Sequence, residues 1–142
     1  MSTIGVVYNI NHELHDYMLK GFPSPESPER LQRILHHLWN NKVLENNNCT
    51  LLLPVAASIE DILRVHTMDY FSFVKFRSSS GGGWLGNDTY LCEGSLDVLL
   101  QAVGSVLEAG KAVVTGQCDH AFALIRPPGH HAYADKHSGF CV

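Results

Sequence analysis

One stretch near the C-terminal end constrains this chain more than any other: Ala121-Phe-Ala-Leu-Ile125-Arg126-Pro127-Pro128-Gly129-His130-His131-Ala132, followed by Ser138-Gly139-Phe140-Cys141-Val142. Ala121 to Ile125 is a short uncharged apolar run, which reads as a strand buried on both faces, and Arg126 marks its exit from the core. Two prolines then stop sheet or helix and leave a stiff extended segment. Gly129 permits a sharp turn or a close approach, and two imidazoles follow it. A strand that feeds a titratable pair to the rim of a sheet has the layout of an active site in an open α/β fold. Histidine exchanges protons near neutral pH, so a held pair suits acid/base work. A second pair, His36-His37, shows that the dipeptide also arises as a surface feature.

The rest of the chain reads as strands alternating with helices. Ile4 to Tyr8 is a β-branched run that makes a first strand, and Thr50 to Leu53 a second. Ser27-Pro28-Glu29 is a helix start, with a capping hydroxyl, proline at the first position and an acid at the positive end of the dipole. Leu31, Ile34, Leu35, Leu38 and Trp39 follow at helical spacing. Ser58 with Glu60 and Asp61 opens another helix reaching Val65, and Thr67 caps a further one through Phe76. His66, at the joint, reads as a core or capping histidine. From Glu93, the positions Leu96, Leu99, Leu100, Val103, Val106 and Leu107 give the clearest helical period, and Gly94, Gly104 and Gly110 suggest close packing against a sheet. The order predicts an α/β fold, a parallel sheet with helices on both faces, as one domain over residues 1–142.

Residues 78–88 carry Gly81-Gly82-Gly83 without periodicity, which reads as a mobile loop, since no Gly-Lys-Ser/Thr accompanies the glycines. Asp88 at its end is either a helix-start acid or a substrate contact. The net charge is −4 and the ten Lys and Arg are scattered, so no basic stripe points to direct nucleic-acid binding. No apolar run approaches membrane-spanning length, and the expected place is the cytoplasm, or the nucleus in a eukaryote. Four widely spaced cysteines read as reduced core thiols.

Four segments, in order, resemble the N-terminal part of the histone deacetylase superfamily, in particular the class II type, acetylpolyamine amidohydrolases and acetoin utilization proteins. They are Pro25-Glu-Ser-Pro28-Glu-Arg30-Leu, Ala57 to Tyr70, Asn87-Asp88 to Ser95, and Arg126-Pro-Pro-Gly-His130-His131-Ala with Ser138-Gly139-Phe140-Cys141. The resemblance implies an arginase/deacetylase-like fold, incomplete in this chain. It also implies zinc-dependent hydrolysis of the N-acetyl amide of a lysine in a protein or peptide, or of an acetylpolyamine. Carried over position by position, His130 is electrostatic in role and His131 the general base and then acid. Gly139 and Phe140 line the channel for the lysine methylenes, Asp88 is the rim carboxylate, and Arg30 stands by the product channel. The family's zinc ligands fall in an Asp-x-Asp-x-His segment that this sequence lacks, so they are expected from residues beyond this chain, and the chain alone is expected to be inactive. The alternative is a non-catalytic module that self-associates or docks on a partner subunit through an exposed sheet edge.

Overall fold

The structure, a computed structural model, describes residues 2–16, 21 and 23–142. Its centre is β1 (Ile4–Tyr8), flanked by β2 (Cys49–Leu51) and β5 (His120–Leu124) in the order β2-β1-β5, with both pairings parallel. The register sets Ile4 against Cys49 on one side and His120 on the other. Side chains alternate across a strand, so β1 feeds two cores. Val7 packs with Leu52, Ala109, Ala112 and Cys118 beneath α4 (Ser95–Val114). Val6 points the other way, onto Leu44, Leu124 and the half-buried Leu35 and Leu38 of α1 (Glu29–Asn40). Helices therefore cover both faces, as the alternating order predicts. Burying each such valine is worth about 1.5–3 kcal/mol.

Local chemistry explains most helix ends, with one correction. α1 begins at Pro28–Glu29, but the Ser27 hydroxyl caps no backbone amide. It bonds the Glu29 carboxyl instead and holds it below the usual carboxylate range. α2 (Ile59–Ile62) opens with the reciprocal Ser58/Asp61 capping box and stops short of Val65. α3 (Met68–Ser79) is capped by Thr67, whose side chain accepts from the Tyr70 amide at 3.2 Å. His66 is half-buried, its ring 5.7 Å from that of Tyr70.

Four further expectations are corrected. Residues 78–88 are not loop throughout: Ser78 and Ser79 close α3, and Gly83 and Trp84 are in a strand. β3 (Gly83–Trp84) and β4 (Tyr90–Leu91) form a small antiparallel hairpin in which Trp84 and Tyr90 meet edge-on at 5.1 Å. Strands this short have no alternation to read. On α4 the face toward the sheet carries the small residues Ala109 and Ala112, while Val103, Val106 and Leu107 are exposed, because small side chains let a helix approach a sheet closely. Of its glycines only Gly104 meets a neighbour, and that neighbour is the segment 55–57 rather than the sheet: an added Cβ would lie 2.1 Å from the Val55 carbonyl oxygen. Finally, β5 sits at the sheet's edge with Phe122 51% exposed, so it is not buried on both faces. All four cysteines are free thiols, and Cys92, Cys118 and Cys141 are buried. Among the described residues no helix is long and apolar enough to cross a membrane.

Candidate active site

Because β1 and β5 are parallel, the segments that leave them, from Asn9 and from Ile125, emerge at the same carboxyl end of the sheet. Ligands of open α/β sheets collect at that end. Arg126 does not mark an exit to solvent; it is 0% exposed. Its Nε and Nη2 donate to the two carboxylate oxygens of Glu26 at 3.1 and 2.9 Å, and its Nη1 donates to the His12 carbonyl. Glu26 also accepts from Arg30 at 3.2 Å. The Asn9 side chain accepts from the Arg126 amide at 3.3 Å and donates to its carbonyl at 2.6 Å. A guanidinium taken fully out of water is tolerable only with partners of this kind, and removing one partner of such a pair costs about 3–5 kcal/mol.

Two more histidines join this buried group. His15 bonds the Ser95 hydroxyl at 2.7 Å through Nδ1, and Ser95 in turn accepts from the Cys92 amide at 2.7 Å. Burial first, and the Arg126 charge second, push the His15 imidazole down to about 3. His12 is lowered for the same two leading reasons, and its Nδ1 has no hydrogen-bond partner among the described residues. Both rings are therefore neutral near pH 7.

Beyond Arg126 the peptide to Pro127 is cis, and the chain reaches His130 and His131. Their rings lie 4.4 Å apart in an edge-on arrangement, and both residues are exposed. The ring of His131 stands beside Gly139, where an added Cβ would be 3.4 Å from its Cδ2. Gly139 and Phe140 both have positive φ, 53° and 66°. They turn the chain between Ser138 and Cys141, which exchange two backbone bonds of 3.0 and 2.9 Å. Cys141 is buried and anchors the turn. A cleft lined by Pro127, Pro128, Gly129, Val142 and the outer face of α4 lies next to it. A separate apolar pocket between α3 and α4 is lined by none of these candidate side chains.

The structure thus brings together His130, His131, Gly139 and Phe140. Asp88 is no helix-start acid: it lies in the β3–β4 connection, is exposed, and accepts from the Thr89 hydroxyl at 2.9 Å. Its loop meets the segment between His131 and Gly139 rather than the histidine pair itself: an added Cβ on Gly86 would lie 2.5 Å from the His137 ring. Arg30 is 50% exposed, and the buried guanidinium of the region is Arg126, to which Arg30 is joined by Glu26. Sequence reasoning singled out none of Asn9, His12, His15 and Glu26. The available signal was Arg126 itself, a charge directly abutting an apolar strand and demanding a partner if the strand stays buried. Among the described residues no three His, Cys, Asp or Glu side chains converge to hold a metal ion, so the residues present do not fit a zinc site.

The family described as "Histone deacetylase domain" matches residues 24–142. A probable deacetylase of Archaeoglobus fulgidus is 40% identical over 130 residues, 89% of this chain and 36% of that protein. A histone deacetylase-like amidohydrolase of Pseudomonas aeruginosa is 38% identical over 120 residues, 82% of this chain and 30% of that protein. The crystal structure of the HDA15 HD domain superposes with a TM-score of 0.91 at 30% identity, covering 99% of this chain and 40% of that one. The chain therefore spans about a third of the length of these curated relatives.

Proposed function

Because the chain belongs to the histone deacetylase family, we propose that the complete protein hydrolyses the N-acetyl amide of a lysine in a protein or peptide, or of an acetylpolyamine, in the cytoplasm or the nucleus. The observation that carries this reading is the His130–His131 pair, ring against ring at the carboxyl end of the sheet and beside the Gly139–Phe140 turn. Amide hydrolysis needs a proton removed from the attacking water and one returned to the leaving amine. An imidazole performs both transfers near neutral pH. His131, nearer Gly139, is assigned the transfers, and His130 stabilises charge on its neighbour. Phe140 offers an apolar wall to the lysine methylenes, Gly139 leaves them room, Asp88 at the rim accepts from substrate amides, and Arg30 stands where a small carboxylate product leaves. Zinc, in this reading, is held by residues outside this segment, and the segment alone does not turn over.

The test is turnover by the complete protein on an acetylated lysine peptide and on an acetylpolyamine. His131→Ala is expected to lower kcat by about 100- to 10,000-fold in a folded protein. Wild-type turnover in that variant would sink the assignment.

A second reading, a docking module, is favoured by one observation. β5 is an edge strand with Phe122 exposed, and Val106 and Leu107 are exposed on α4. Such an edge invites another strand. Sedimentation at micromolar concentration is expected to show self-association of the segment, weakened by Phe122→Lys; a monomer at every concentration refutes self-association.

A further inference from the structure

Arg126 is held twice over. Three of its bonds are made by the guanidinium, to both oxygens of Glu26 and to the His12 carbonyl, and satisfy a buried charge. Two more are made to its peptide group by the side chain of Asn9, which grips the amide and the carbonyl together. Solubilising the charge does not require that second grip. The residue so fixed is the one from which Pro127, Pro128 and Gly129 lead to the two histidines. Proline locks φ at two of the three positions, which limits the ways in which the orientation of the Arg126 peptide can be lost before the histidines. The histidines themselves are exposed. Their placement relative to one another and to Gly139 is therefore set largely through the chain that delivers them.

We propose that Arg126, Glu26 and Asn9 are positioning residues for the His130–His131 pair: the carboxylate holds the guanidinium, the amide side chain holds the peptide, and together they set the exit of β5 from which the imidazoles project. The inference rests on the deacetylase reading for its consequence in turnover, and on geometry alone for its consequence in structure. A displacement of catalytic groups by about 1 Å costs on the order of 100-fold in rate without weakening substrate binding.

The experiment compares wild type, Arg126→Lys and Glu26→Gln in the complete protein. Lysine keeps the charge but cannot span both carboxylate oxygens. Glutamine keeps the shape of glutamate and one acceptor oxygen but leaves the guanidinium charge uncompensated, so kcat is read per folded molecule and lost stability does not count as lost positioning. Three readouts are taken: kcat and KM on an acetylated lysine peptide, the folded fraction by circular dichroism, and the imidazole resonances by two-dimensional NMR. Positioning predicts that kcat per folded molecule falls about 100-fold in Arg126→Lys and about tenfold in Glu26→Gln, with KM within about twofold. It also predicts that the ring signals of His130 and His131 move while those of His36 and His37 stay. Wild-type kcat in folded Glu26→Gln with unmoved His130 and His131 signals overturns the proposal. The two failures are separable. If even wild type shows no turnover, the deacetylase reading falls and the ring signals still decide positioning. Turnover lost in His131→Ala but intact in Glu26→Gln sinks positioning alone.

Discussion

The chain carries the same dipeptide twice, and the two copies sit in opposite kinds of backbone. His36 and His37 lie on the exposed side of α1, where successive side chains diverge by about 100° around the axis. Each is engaged by an asparagine one turn on: Asn40 lies 3.1 Å from His36 Nε2, and Asn41 lies 3.4 Å from His37 Nδ1. His130 and His131 follow Pro127-Pro128-Gly129 in irregular backbone, and there the rings face each other at 4.4 Å. Both pairs are exposed, so burial does not separate them. What separates them is the segment upstream: a helix turns neighbours apart, whereas a pinned strand exit delivers them together.

The sharpest way to break that contrast is to delete each pair in the complete protein. Loss of turnover by about 100-fold or more on changing His131, against less than about twofold for His36→Ala or His37→Ala, is the expected split. Equal effects at the two pairs would mean that the dipeptide does not act as a joined unit at either place.

The contrast also shows what a sequence can carry. The two turn prolines, the glycine and the apolar run before them were enough to single out the second pair, because strand composition and proline geometry are local properties. The parallel order was legible for the same reason. The grip of Asn9 and Glu26 on Arg126 was not, since these partners are separated by 117 and 100 residues and only the folded sheet brings them together. Nor was the exposure of Phe122 readable, because whether a strand is central or at an edge depends on what pairs beside it. The β3–β4 hairpin was missed because two-residue strands carry no period, and the Ser27 hydroxyl acts on the Glu29 carboxyl rather than on a backbone amide.

The chain holds a second, buried set of imidazoles, His12 and His15, and these make stability depend on pH. His15 is held at about 3 against an ordinary 6.5, mainly by burial and secondly by Arg126. Between those values the unfolded chain takes up a proton that the folded chain refuses. Stability is thus fully present above the ordinary value and falls as pH drops through this window, by about 1 kcal/mol per pH unit. His12, lowered in the same sense, adds to the slope. Urea midpoints at about pH 7.5 and about pH 5.5, above most carboxylate titration, should show the fall. His15→Asn, which preserves a polar atom near Ser95 without an imidazole, should reduce it. An unchanged slope in that variant would place the titration elsewhere.

The smallest expected effects lie just downstream of each pair, where the chain reverses through left-handed backbone. After α1 the residue is Lys42, with φ of 54°; beside His131 it is Gly139, with φ of 53°. A side chain in this region costs about 1–2 kcal/mol, and glycine gives back roughly half of that in chain entropy. Lys42→Gly is therefore expected to raise stability by about 0.5–1 kcal/mol, a rise of about 2 °C in thermal midpoint, with no change in turnover. Gly139→Ala is expected to lower stability by about 1 kcal/mol from its backbone alone. Its Cβ would sit 3.4 Å from the His131 ring, a distance that needs little rearrangement, so the imidazole should stay in place. What should change is KM, which is expected to rise if Gly139 lines the path of the lysine methylenes. A variant that loses this stability and yet binds substrate as wild type would make Gly139 a turn residue only, and would leave Phe140 as the wall of that channel in this segment.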